Sequence, residues 1–274
     1  MGRRAPGRPG AARGPALPPR RGEGRVVDTH AHLDSCDAPP AELVSEAAAA
    51  GVERIVTIGV GRESSERAVA LCEAHPEVRA AVGVHPHDAD GFTPADEAWI
   101  RELAAHPAVV AIGECGLDFH RNHSRPEAQR RAFSAQIALA RETGLPLVIH
   151  TRDAAEETLA ILADEAAGHP VVMHCFSMPE RLDEVAERGY LVSIAGQVTY
   201  SSAADLRRAA AAVPDDLLLV ETDSPYLAPV PRRGRPNRPA NVAHTLRAVA
   251  GLRGVSEEAL DGLTTRNAAR VFAW

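Results

Sequence analysis

VVDTHAHLD, residues 26–34, decides how the rest of the chain is read: two apolar residues run into alternating positions that carry two histidines. A first strand opening a dinucleotide-binding sheet would run into a glycine-rich phosphate loop, whereas this one runs into His30 and His32. From Val26 onward short apolar runs alternate with Ala-, Glu- and Arg-rich stretches of helical period, the pattern of successive βαβ units in a parallel sheet. The apolar runs predict strands over Arg25–His32, Arg54–Val60, Arg79–Val84, Val109–Glu114, Pro146–His150, Val171–His174, Leu191–Ala195 and Leu217–Glu221. Helices are predicted over Ala41–Ala50, Glu63–Ala74, Ala95–Ala105, Glu127–Thr143, Ala154–Ala167, Pro179–Arg188, Ala203–Ala212, Asn241–Gly251 and Glu257–Ala269. Several strands are near-continuous Val, Ile and Leu, as strands buried on both faces are. Eight such strands with intervening helices are what a closed (β/α)₈ TIM barrel requires, while an open doubly wound sheet has about five to seven.

At 274 residues and 45% hydrophobic content the chain can bury one large core, so a single barrel domain over residues 26–274 is expected. Met1–Arg25 is rich in Pro, Gly and Arg without apolar periodicity and reads as a disordered tail, either a nucleic-acid contact or, more simply, a solvated leader. The formal charge is −7, but the tail holds seven Arg against one Glu, which leaves residues 26–274 near −13. An acidic body argues against the broad basic groove of a duplex binder and leaves room for a local phosphate site. Lysine is absent and Ala and Arg abound, which reads as a bias of the coding DNA. No run approaches the roughly 18 apolar residues of a membrane span, and the start lacks the apolar middle of a secretory signal. A cytoplasmic protein without membrane association or an obligate protein partner is expected. Cys36, Cys72, Cys115 and Cys175 show no CxxC spacing, so they are expected as reduced thiols that behave as small hydrophobes.

Polar residues gather at the C-terminal edges of the predicted strands: His30 and His32 on the first, Glu114 on the fourth, His150 on the fifth, His174 on the sixth and Asp223 past the eighth. Side chains alternate along a strand, so His30 and His32 point the same way. A single strand-end His is more often a hydrogen-bonded structural residue. Four His and two carboxylates in register with eight strands instead suit two divalent cations (Mg, Mn or Zn), held about 3.5–4 Å apart across a shared carboxylate or water. His75, His106 and His169 sit at helix ends before the next strand, on the opposite face, and read as caps or surface groups.

Beyond DTHAHLD, the stretches GVHPH (83–87), GECGLD (113–118), LPLVIHTRDA (145–154), HCFS (174–177) and ETDSPYLAP (221–229) resemble, in order, the successive motifs of TatD-related nucleases, from Val26 to Trp274. The resemblance implies His30, His32 and Asp223 on one metal, His150 and His174 on the second, and Glu114 bridging both. The lysine bridge of other barrels of this superfamily is not needed. Met178 stands where the family usually has Gly, which is expected to bear on the loop beside His174, and Cys115 stands where Ile or Val is usual. Water is the expected nucleophile, with Asp223 taking or positioning its proton and Glu114 as the second catalytic carboxylate. Glu221, in phase with Asp223, either orients a His ligand or pairs with an Arg. Arg152 with Arg232, Arg233, Arg235 and Arg238 form either a phosphate site or a solvated loop. His85 and His87 are expected to contact a phosphate or to support a ligand, with His120 and His123 weaker candidates. The resemblance implies a 3′–5′ exonuclease acting on single-stranded DNA. A deacylase of D-aminoacyl-tRNA is the alternative hydrolase, and a degenerate barrel that only binds nucleic acid is the non-enzymatic one.

Overall fold

The computed structural model describes residues 26–274, so the expected tail, Met1–Arg25, lies outside the described residues. Eight strands run in the order β1 Val26–Ala31, β2 Val52–Ile58, β3 Val78–Val82, β4 Val109–Asp118, β5 Leu147–Arg152, β6 Val171–Met173, β7 Leu191–Ile194 and β8 Leu218–Val220. Each pairs in parallel with the next. The helices are α1 Pro40–Ala49, α2 Arg62–Ala74, α3 Pro94–Ala104, α4 Pro126–Thr143, α5 Ala155–Glu165, α6 Leu182–Glu187, α7 Ala204–Ala212, α8 Val242–Arg253 and α9 Glu257–Phe272. This is the (β/α)₈ barrel expected from the alternation. The strands are close to wholly buried because their Val, Ile, Leu and Ala side chains fill both the barrel interior and the layer beneath the helices.

Closure between β8 and β1 is made by side chains as much as by the ladder. Ala31 bridges Ser224, and Asp223 N donates to His30 O at 2.9 Å. Below them the buried Asp28 carboxylate accepts Thr222 N–H at 2.8 Å and the Thr222 hydroxyl at 2.6 Å. It substitutes for a backbone acceptor just past the end of β8. Burial pushes the Asp28 carboxyl up to about 8, against the pull of those donors.

Two expectations need correction. Strand β4 does not end at Glu114 but runs on to Asp118, buried throughout. Its glycines at 113 and 116 take φ of +137° and +136°, and the register shifts between Ile112 and Cys115. The helix expected over Pro179–Arg188 is a 3-10 turn, Pro179–Arg181, followed by α6. Met178 has φ −121°, an angle open to any residue, and is buried, so the loop beside His174 does not use the freedom a glycine would bring. The left-handed position there is Cys175, at φ +43°.

Helix α4 packs on β4 with Phe133, Ile137 and Ala140 inward, while Ala128 and Ala132 pack against Ala89 and Phe92 of the segment after β3. The same face carries two buried glutamines that tie down strand ends. Gln136 accepts Val84 N–H at 2.8 Å and donates to Val84 O at 3.0 Å. Gln129 accepts Asp118 N–H at 2.8 Å and donates to Asp118 O at 3.1 Å. Gln136→Leu keeps the volume and orphans both backbone groups of Val84, so a loss of about 2 kcal/mol is expected from the denaturant midpoint. An unchanged midpoint would show that the amide contributes nothing there.

Candidate metal centre

His30 and His32 leave β1 on the same face, and their Nε2 atoms come within 3.3 Å. Opposite them Glu114, central in β4, sends Oε2 to 3.4 Å from His30 Nε2 and 3.7 Å from His32 Nε2. Its other oxygen, Oε1, lies 2.8 Å from His150 Nδ1, 2.9 Å from His174 Nε2 and 3.4 Å from His85 Nε2. Asp223 completes the ring, with Oδ1 3.5 Å from His32 Nε2 and 3.8 Å from His30 Nε2. It sits at φ +55°, where a non-glycine residue is held only by its surroundings; the His30 carbonyl and the Tyr226 amide pin its backbone on either side.

Three groups of ligand atoms converge: His30, His32 and Glu114; His30, His174 and Asp223; His85, Glu114 and His150. The six residues expected as ligands are therefore brought into one cluster, in which Glu114 Oε2 faces His30 and His32 and its Oε1 faces His150 and His174. His85, expected near substrate, joins Glu114 and His150, while His174 stands stacked on His30 with ring centroids 3.8 Å apart. The donor set fits divalent cations. Two imidazole nitrogens facing each other at 3.3 Å, each near two carboxylates, cannot all be satisfied by protons, since one N–H serves one acceptor. His30 Nδ1 is buried with no hydrogen-bond partner, so nothing on that side of the ring fixes its proton.

Charge shapes the centre further. Burial opposes ionisation of Glu114, yet the imidazoles of His174, His85 and His150 hold its carboxyl well below the usual range. Burial pushes His30 down to about 3, with His174 acting in the same direction. For His174 burial is overcome by Glu114 and Glu221, which raise it well above the ordinary imidazole value. Glu221 is the orienting group: its Oε1 lies 3.2 Å from His174 Nδ1 and accepts Cys175 N–H at 2.8 Å. No arginine contact is needed to account for it.

Asp118 is a site residue that sequence reasoning missed. Its Oδ2 lies 2.8 Å from His87 Nε2 and 3.3 Å from His150 Nε2, and its Oδ1 accepts the N–H groups of His120 and Arg121. Although burial opposes it, contacts with His150, Arg121 N–H and His87 hold its carboxyl far below the carboxylate range. The signal was available, because Glu114, Gly116 and Asp118 share one face of a strand. His123 stands against His87, with centroids 4.6 Å apart, and His120 Nδ1 lies 2.8 Å from Asp153 at the surface.

The arginines divide. Arg152 ends β5 and is exposed at the barrel mouth, and Arg235 is exposed in the loop after β8. Arg238 is committed to carboxylates, reaching Glu46 at 2.8 Å, Asp37 at 3.2 Å and Glu42 at 3.3 Å, so it fastens the loop to α1. Arg233 stands 4.5 Å over the Tyr200 ring. On the opposite face His106 Nδ1 accepts Ala108 N–H and His169 Nε2 donates to Leu145 O, the capping roles expected of them. All four cysteines are free, and burial raises each thiol.

A closed parallel barrel gathering imidazoles and carboxylates at the C-terminal ends of its strands defines a metal-dependent hydrolase. The family is named by comparison: the model described as "TatD related DNase" matches residues 27–273, and this chain belongs to that family. It is 41% identical over 251 residues to the "Uncharacterized metal-dependent hydrolase YabD" of Bacillus subtilis (strain 168), covering 90% of this chain and 98% of the relative. It is 41% identical over 244 residues to the "3'-5' ssDNA/RNA exonuclease TatD" of Enterobacter lignolyticus (strain SCF1), covering 84% and 91% respectively. Among solved structures it is similar to YJJV, a TatD homolog from Escherichia coli k12, with a TM-score of 0.86 at 27% identity over 92% of this chain and 99% of that one.

Proposed function

We propose that this protein is a 3′–5′ exonuclease on single-stranded nucleic acid, DNA foremost, that uses two divalent cations (Mg, Mn or Zn) held between β1, β4, β5, β6 and the end of β8. The observation that carries the reading is Glu114: one buried carboxylate with His30 and His32 on one oxygen and His85, His150 and His174 on the other. A carboxylate so surrounded suits a ligand shared by two ions. His30, His32 and Asp223 would hold one ion with it, and His150 and His174, with His85 beside them, the other. Bound there, the cations would neutralise phosphodiester charge and make water a competent nucleophile near neutral pH.

The chain's own groups do the rest. Glu221 accepts the Nδ1 proton of His174, leaving Nε2 free to coordinate. Asp223, at the rim of the centre, is the candidate to take a proton from the attacking water. Arg152, exposed beside His150, is the candidate donor to a substrate phosphate. An acidic body with few arginines at the mouth supports a short single-stranded contact over a long duplex groove. Among the described residues no helix is long and apolar enough to cross a membrane, and the free thiols agree with the reducing cytoplasm expected for it.

A metal series on 5′- and 3′-labelled single-stranded oligonucleotides tests the reading. The expected result is a ladder of shortening 5′-labelled products, release of the 3′ label as a mononucleotide, and loss of both on chelation. If folded, metal-loaded protein leaves DNA and RNA strands intact while hydrolysing D-aminoacyl-tRNA, the nuclease reading is overturned.

A further inference from the structure

Among the described residues Tyr226 is the one exposed aromatic side chain, at 58%, while the other Phe, Tyr and Trp side chains are buried or half-buried. It lies at the mouth beside the metal centre: its ring centroid is 6.0 Å from that of His32, and its N–H donates to Asp223 O at 2.8 Å. An isolated exposed aromatic is commonplace. What sets this one apart is how firmly its backbone is held. Asn237 N donates to Pro225 O at 2.9 Å, just before it. Just after it, Leu227 O comes so close to Gly196 that a Cβ there would lie 2.2 Å away. The Tyr200 hydroxyl donates to Ala228 O at 2.9 Å, and Val230 N donates to Thr199 Oγ1 at 2.9 Å. The segment is thus clamped from the β7 side and from the loop after β8, while the ring itself faces solvent.

Resting on the nuclease reading above, we infer that Tyr226 is the stacking platform for a nucleobase of the single strand, seating the nucleotide next to the scissile phosphate. Stacking on an aromatic face suits an enzyme that accepts any sequence, because every base has a π-face. With the backbone held before binding, only the side-chain torsions of Tyr226 remain to be ordered when the base arrives. The Arg233 guanidinium, packed over the Tyr200 ring whose hydroxyl holds Ala228 O, adds positive charge to the same loop and suits the strand's backbone.

The test compares two short oligonucleotides of one length: one with ordinary bases and one whose sugars carry hydrogen in place of every base. The parent protein is expected to favour the base-bearing strand in kcat/KM. In Tyr226→Ala this preference falls by roughly tenfold to a hundredfold, mainly through KM, the range set by base–aromatic stacking. Tyr226→Trp and Tyr226→Phe keep it, which separates a lost ring from a damaged fold. Bound metal, measured in each variant, stays at the parental stoichiometry. If Tyr226→Ala retains the parental preference, or slows both strands equally, the platform is refuted while the nuclease reading stands. If the metal-loaded parent cleaves neither strand, the nuclease reading fails and takes the platform with it.

Discussion

Glu114→Gln is expected to lower the hydrolytic rate at least on the order of 10³-fold, because the charge that gathers the centre disappears with almost no change in shape. The loss corresponds to several kcal/mol of transition-state stabilisation supplied by metal ions, at 1.36 kcal/mol per tenfold. Glutamine at this position puts one amide NH₂ against a cluster of imidazole nitrogens. Both sides lose their anionic partner, and whichever way the amide turns, either the His30 and His32 side or the His85, His150 and His174 side faces an NH₂ that cannot accept or coordinate. Metal content by elemental analysis is expected to fall to one ion or fewer per chain. The rise in melting temperature on adding metal to the stripped protein is expected to shrink, since ligand stabilisation scales with occupancy. A Glu114→Gln protein with parental rate and parental metal content would remove Glu114 from the centre.

How much of this could be read in the sequence differs from residue to residue for physical reasons. The strands were legible because barrel strands are buried on both faces and so appear as Val, Ile and Leu runs. His30 and His32 were legible because a period of two projects them together. The end of β4 was not. Gly113 and Gly116 look like strand breakers in sequence, whereas in the fold they permit the positive φ angles with which β4 carries Glu114 and Asp118 inward. Gln129 and Gln136 occupy apolar positions of α4, a visible anomaly, but their partners are backbone groups of strand-end segments, and Val84 lies 52 residues away from Gln136. Arg238 read as part of a phosphate-binding run. Only the fold brings Asp37, Glu42 and Glu46, about two hundred residues earlier, against it. The place of His85 was equally out of reach, because only the fold brings its Nε2 to 3.4 Å from Glu114 Oε1.

Gly116→Ala is expected to cost about 3–5 kcal/mol, far more than the one methyl group it adds. Gly116 faces His150 in the β4–β5 register, and a Cβ there would lie 2.0 Å from His150 O and 3.0 Å from its carbonyl carbon. These are backbone atoms of a buried strand, so no side-chain rotation relieves the overlap and the strands must part. The φ of +136° adds a second cost, since L residues rarely adopt it. Gly144→Ala separates the two causes: it also has positive φ, +73°, but meets nothing within 4 Å, so about 1 kcal/mol is expected from conformation alone. Urea unfolding of both variants at fixed metal concentration measures the difference, and near-equal losses would show that the β4–β5 approach is not tight. The parting should also reach the chemistry. Glu114 sits two residues before Gly116, and its Oε1 meets His150 Nδ1 at 2.8 Å across the same strand pair. Gly116→Ala is therefore expected to lose metal at denaturant concentrations where Gly144→Ala still holds it.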